Sequence, residues 1–303
     1  MIDYIKLNIS RSLFDLINLD FFKHINLETG EMRFYETAKH KNLTIIRKGD
    51  YIVLEGSLHK YHNDGQHNHN DFDYSMLIQT VDNLCQEIQI KSDESYLQNL
   101  EFGINIKVDF DPTDFLKNQV ICYKGQKPTY SGPRNGKGYL LEFEQYNYIV
   151  KLYDKGGQYD LDEKILRFEF KTKKMVFIKN SGIKILADLK NLSRLKILRD
   201  ILLNIFDDIL ICEHVQNEII SEHDRELYLN RINSTYWSSL LPDSKTFQNG
   251  SKNQQYRAAS KKYYKSLKQF KYLISKYNLD ITKKTIQQEF ENKSARLLSV
   301  HDD

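Results

Sequence analysis

The stretch YIVKLYDKGGQYDLDEKILRFEFKTKK, residues 148–174, constrains the fold more than any other part of the chain. Apolar and polar residues alternate on both sides of a Gly-Gly pair, and period two is the mark of a β-strand. The stretch therefore predicts a hairpin. Val150, Leu152, Leu166, Phe168 and Phe170 share one face, which must cover a core. Lys151, Tyr153 and Lys155 share the other face on the first strand, and Arg167, Glu169 and Lys171 on the second. A third stretch, LQNLEFGINIKVDF (residues 97–110), repeats the pattern: Leu100, Phe102, Ile104 and Ile106 point one way, and Glu101, Gly103, Asn105 and Lys107 the other. If the three strands are neighbours, Glu101, Tyr153 and Glu169 converge on one surface.

The rest of the first half reads as further strands with a few helices. YIKLNI, LTIIRKGD and YIVLEGSLHKY alternate and suit an antiparallel meander, with His59 on the last strand, on the side of Glu55 and Ser57. HNDGQHNHNDF is a polar, histidine-rich loop, followed by an amphipathic helix whose N-cap is Asp71 or Asp73. PTDFLKNQVICY reads as a short helix, and KGQKPTYSGPRNGKG as a loop whose Lys124, Lys127, Arg134 and Lys137 suit phosphate contacts or mere exposure. After Ile183 the period changes to three and four, and four helical stretches follow. The expected class is α+β: a mixed, mainly antiparallel sheet with a few helices, then an all-helical C-terminal region. The expected division is residues 1–186, carrying the chemistry, and residues 187–303, a helical, basic unit.

Charge supports that division. The chain of 303 residues has 44 Lys+Arg and 41 Asp+Glu, yet residues 245–298 hold 13 and 3 of these, leaving 31 and 38 elsewhere. A basic segment interleaved with tyrosines points to a polyanion, nucleic acid above all. Cys85, Cys122 and Cys212 are scattered, as in reduced, intracellular chains, and give no zinc-type spacing. MIDYIKLNIS has no signal-peptide character, and no run of about 18 apolar residues occurs. The expected location is the cytoplasm.

The converging residue types have a chemical meaning. Two carboxylates, Glu101 and Glu169, offer hard oxygen ligands to Mg²⁺ or Mn²⁺. Such an ion polarises a phosphodiester. A tyrosine hydroxyl can attack phosphorus and keep the bond as a phosphotyrosine ester. Nearby Lys and Arg are expected to lower the tyrosine pKa and to stabilise equatorial oxygens. His59 is a further candidate ligand or base. His67-Asn-His69 has metal-ligand spacing but lies in a polar loop, and Glu142 and Glu144 are further acidic candidates.

YIVKLYDKGGQY followed by ILRFEFKTKK resembles the rolling-circle replication initiators of phages and plasmids, namely the gene II protein of filamentous phages and the Rep_trans group of plasmids. Those families carry Tyr-x-Lys on one strand, Arg-Phe-Glu on the next, and Arg-x-Asp on an earlier one. Asn99-Leu-Glu101 takes the place of Arg-x-Asp here. The resemblance spans roughly residues 97–189. It implies a site-specific DNA nicking-joining enzyme, with Tyr153 as nucleophile, Lys155 as the motif lysine, Arg167 preceding the acid, and Glu101 and Glu169 as metal ligands. Tyr159 stands as an alternative nucleophile.

In the basic segment Arg257, Lys261, Lys262, Lys265 and Lys268 recur along a helix and, with Lys151 and Lys171 near the site, are expected to contact DNA. A following helix would complete a helix-turn-helix; a helical bundle with a basic surface fits equally well. The implied partners are a replication origin, single-stranded at the nick, and a host helicase; oligomeric state is left open. A non-catalytic DNA-binding regulator of a mobile element and a metal-dependent nuclease using water are the alternatives. A conjugative relaxase or a transposase would share the chemistry.

Overall fold

The computed structural model describes residues 1–10, 19–25, 28–30, 32–130, 138–215, 219–241 and 252–299. Arg134 and Lys137 of the basic loop lie outside them. In chain order the elements are β1 (Ile2–Ser10), β2 (Phe22–Ile25), β3 (Met32–His40), β4 (Leu43–Lys48), β5 (Tyr51–Ser57), α1 (Leu58–His62), α2 (Tyr74–Ile88), β6 (Ser95–Lys107), α3 (Pro112–Asn118), β7 (Val120–Tyr123), β8 (Thr129–Tyr130), β9 (Leu140–Glu144), β10 (Tyr148–Asp154), α4 (Lys155–Tyr159) and β11 (Ile165–Thr172). Two 3₁₀ segments follow, then α5 (Leu192–Asp208), β12 (Ile209–Ile211), α6 (Glu222–Arg231), α7 (Ser234–Leu240), α8 (Lys252–Tyr277) and α9 (Ile281–Leu297).

Among the described residues, one antiparallel sheet of ten strands runs β2-β3-β4-β5-β1-β6-β11-β10-β9-β8. The class is α+β, as the alternation requires. The three strands singled out by pattern are direct neighbours, with Lys151 opposite Glu169, Tyr153 opposite Arg167, and Lys171 opposite Glu101. Gly103 sits where β6 and β11 close tightly, because a Cβ there would stand 2.4 Å from the Phe168 carbonyl oxygen. Asp73 caps α2 by accepting from the Met76 amide, and Asp111 caps α3 ahead of Pro112.

Several elements are shorter than their patterns suggest. The fifth strand stops at Ser57, whose hydroxyl accepts from the Lys60 amide, so His59 lies on a helical turn and not on a strand. The expected Gly-Gly turn is the helical turn α4, capped by Asp154. The expected helix around residue 118 ends there, and Val120–Tyr123 pairs with the short strand Ile209–Ile211 inside the helical half.

One face of the sheet is apolar. Leu7, Leu100, Phe102, Ile104, Leu152, Phe168 and Phe170 are buried in a core that also holds Leu195, Phe206, Ile286 and Phe290 from α5 and α9. Phe168 lies against Phe206 at 5.3 Å and Phe290 at 6.3 Å between ring centres. The sheet core thus draws residues from both sides of position 186. A second cluster joins α6, α7 and α8 around Trp237, whose indole stands 5.8 Å from Phe270 and donates to the Arg231 carbonyl. The helix after the α8–α9 turn therefore gives its apolar side to the sheet core.

Because α9 seals the sheet core, Phe290→Ala should cost about 3–5 kcal/mol. Chemical denaturation monitored by far-UV circular dichroism checks this. A change within experimental error would show that α9 is a detachable appendage.

Candidate active site

The other face of β6, β11 and β10 carries the polar residues, and it is organised around a buried cation. Arg167 is 2 % exposed. Its Nε donates to Glu169 Oε2 at 2.8 Å, its Nη1 to Asn105 Oδ1 at 2.9 Å, and its Nη2 to Asp3 Oδ2 at 2.6 Å. A guanidinium removed from water needs such acceptors, and each comes from a different strand. Asp3 also accepts from Ser57 Oγ and, at 2.7 Å, from Asn68 Nδ2.

Lys151 lies between the two glutamates, 3.0 Å from Glu169 and 3.5 Å from Glu101, and Lys171 pairs with Glu101. The half-buried Tyr153 donates its hydroxyl to Glu169 Oε2 at 3.2 Å. Lys155 starts α4 rather than extending β10, yet its Nζ returns to within 3.5 Å of the Tyr153 hydroxyl. Asn68 Oδ1 accepts from Lys155 at 2.7 Å and from the Tyr159 hydroxyl at 2.8 Å. Both tyrosines therefore sit beside one buried ammonium. Above Tyr153 opens a pocket of about 470 Å³, with Tyr4, Glu101, Tyr139, Glu142 and Lys151 in its lining.

Burial and neighbouring charge set the protonation states. Burial, then Glu169, pushes the Glu101 carboxyl up to about 7. Burial also acts on Glu169, but Lys151 and Arg167 outweigh it and hold that carboxyl well below the usual range. Burial, then Arg167, lowers Lys155 to about 7. Tyr153 departs from the sequence expectation: burial and the Glu169 charge raise it well above 10, overriding Arg167. The resting tyrosine is a protonated phenol.

The structure brings Glu101, Lys151, Tyr153, Lys155, Arg167, Glu169 and Lys171 together. His59 does not line the Tyr153 pocket: it lines a different cleft, shared with Arg167 and Asn105, stacked on Phe72 at 4.7 Å with its Nε2 on Asn70 Oδ1, and burial lowers it to about 3. His67 and His69 stack on each other at 4.2 Å, and Glu144 pairs with Lys173 on the surface. Sequence reasoning missed Asp3, Asn68 and Asn105. Asn105 was visible on the face of Glu101. Asp3 showed only as a charge inside the apolar alternation of the first strand, and nothing in a polar loop marked Asn68.

No group of three or more His, Cys, Asp or Glu side chains poised for a metal occurs among the described residues. Glu101 and Glu169 are the acidic pair that the sequence assigns to a hard divalent ion, and their oxygens already pair with Lys151, Lys171 and Arg167. They are two neighbouring carboxylates, one held half-protonated near pH 7 by burial and by the charge of the other, and one or two carboxylates are what Mg²⁺ ordinarily takes from a protein. Lys151 competes for the same oxygens.

No protein-family model matches the chain, and no curated protein matches it. A solved structure similar to it is that of a rolling circle replication initiator protein from Geobacillus stearothermophilus, at 12% identity and a TM-score of 0.41, over 75% of this chain and 89% of that one. No helix among the described residues is long and apolar enough to cross a membrane.

The raised Glu101 value gives a stability signature. Between its ordinary 4.5 and about 7 the folded chain holds a proton that the unfolded chain has lost. Stability from this group is therefore full below the lower value and declines as pH rises through the window. Glu101→Gln should remove that decline, so the Tm of the variant relative to wild type should rise between pH 5 and pH 8. A constant difference across that range would contradict the assignment.

Proposed function

We propose that this chain is a site-specific DNA nicking-joining enzyme that starts rolling-circle replication of a phage or plasmid, with Tyr153 as the nucleophile. The observation that carries the reading is the Tyr153 hydroxyl, 3.2 Å from Glu169 and 3.5 Å from Lys155, on a residue that lines the open pocket. The Tyr-x-Lys and Arg-Phe-Glu motifs support it.

In this reading the phenolic oxygen bonds to phosphorus as the bond from phosphorus to the 3′-oxygen breaks. The 5′-phosphate stays on Tyr153, and the 3′-oxygen leaves as an alkoxide that takes a proton from water to become the 3′-hydroxyl. Neutral Lys155 accepts the phenolic proton, which a buried amine near its midpoint at pH 7 can do. Tyr159, linked to the same amine through Asn68, remains available to the reverse or a second transfer. Glu101 and Glu169 would hold Mg²⁺ or Mn²⁺, which when bound supplies positive charge to the scissile phosphate. Lys151 and Lys171, at the pocket, would meet the strand. Arg167 is a positioning residue, because all three of its nitrogens already donate within the protein.

The helical half serves as a DNA-contacting unit. Along α8, exposed Arg257, Lys261, Lys265 and Lys268 fall on one side at about 100° per residue, with Lys262 to its flank. Its partner is the origin duplex. The division into residues 1–186 and 187–303 is one of function, since α5 and α9 belong to the sheet core.

The test is incubation with single-stranded DNA from the cognate replicon and Mn²⁺, followed by a denaturing gel. Wild type should give a DNA-linked band, and Tyr153→Phe and Glu169→Gln should reduce it at least 100-fold, whereas Tyr159→Phe should retain it. Cleavage by Tyr153→Phe without any adduct would mean a nuclease using water. The single-turnover rate should also rise with pH through about 7, as Lys155 loses its proton. Lys155→Arg, a cation unable to deprotonate, should abolish that limb.

A further inference from the structure

We propose that the open face of β1 to β5 is a binding track for single-stranded DNA that leads into the Tyr153 pocket. This rests on the reading that the chain acts on DNA, and it assigns a role to the part of the sheet that chemistry leaves unused.

The polar side of these strands is continuous with the active-site face. Tyr4 and Glu55 line the Tyr153 pocket, and one step further along the same strands Lys6, Tyr51 and Val53 line a second depression of about 640 Å³. Lys6 and Glu55 lie opposite each other across β1 and β5 and pair at 2.9 Å, at the junction of the two. The depression continues over Lys48 on β4 and Tyr35 on β3 to His24 on the edge strand. Its floor includes the apolar Ile46 and Val53.

The chemistry favours unpaired nucleotides. Rings alternate with cations: Tyr51 is 37% exposed, His24 lies 5.2 Å from Tyr35, and the Arg33 guanidinium is 5.9 Å from the Tyr35 ring. Lys39 shares the β3 face with Tyr35, and Lys48 is exposed on β4. Lys6, Arg33, Lys39 and Lys48 stand against Glu55, so charge complements a phosphate backbone. Stacking rings beside a basic groove are what grips single strands without base pairing. A duplex hides its base faces and would leave the rings unused. The five strand intervals from β6 to β2 span ~24 Å at ~4.8 Å each.

The experiment uses the full chain without divalent ions, a fluorescein-labelled 20-nucleotide single strand and the matching duplex, with binding read by anisotropy. Tyr35→Ala with Tyr51→Ala, and separately Lys48→Glu, should each weaken single-strand binding, the double change at least tenfold. Tyr35→Phe with Tyr51→Phe keeps the rings and should retain binding, which separates stacking from damage to the fold; Tm values provide a second control. Binding unchanged within twofold in both the Ala pair and Lys48→Glu, or an equal loss on duplex, overturns the track. The two proposals fail separately. Covalent adduct formation by wild type with unaltered binding in the variants sinks the track alone. The binding pattern without any adduct sinks the nicking chemistry and leaves the track standing.

Discussion

A single buried guanidinium holds the site together. Arg167 is taken out of water between β1, β6 and β11 and donates to Asp3, Asn105 and Glu169. The cost of burying a charge favours this arrangement, because loss of either carboxylate leaves the cation only partly compensated. The three strands are thereby locked in register, and Glu169 is presented to the pocket with one oxygen on Arg167 and the other on Lys151. Everything at the pocket floor inherits its position from that contact.

The same contact sets the electrostatics. Glu169 stays ionised because Arg167 and Lys151 outweigh its burial. Its charge then works against ionisation of Tyr153 and helps keep Glu101 half-protonated. The phenol is accordingly a hydrogen-bond donor, not a phenolate. Beside it stands the amine of Lys155, 1% exposed and far less basic than a lysine in water. Asn68 anchors that amine by accepting a hydrogen bond from it and by donating in turn to Asp3, so the polar loop and the first strand meet beside Tyr153.

Much of this was legible in the sequence, for a definite reason. Period two fixes which side chains share a face, and β6, β11 and β10 lie side by side in the sheet, so Glu101, Lys151, Tyr153, Arg167 and Glu169 fell into place. What failed depended on three-dimensional context. His59 left its strand because Ser57 caps a helix there, a local hydrogen bond that competes with sheet pairing. The tyrosine pKa was read with the wrong sign, since counting nearby Lys and Arg ignores burial and the adjacent carboxylate. Asp3 and Asn68 join through separations of 65 residues and more, which no local pattern records. The role of α9 was hidden because its few apolar residues, Ile286, Phe290 and Leu297, resemble those of an ordinary surface helix until the sheet is in place.

The central claim is that the Tyr153 oxygen forms the bond to phosphorus. Tandem mass spectrometry of the nuclease-trimmed, protease-digested protein after reaction with single-stranded origin DNA addresses it directly. The account predicts a nucleotide phosphate carried on Tyr153. A nucleotide found on Tyr159 instead, or cleaved DNA with no modified tyrosine at all, would contradict it.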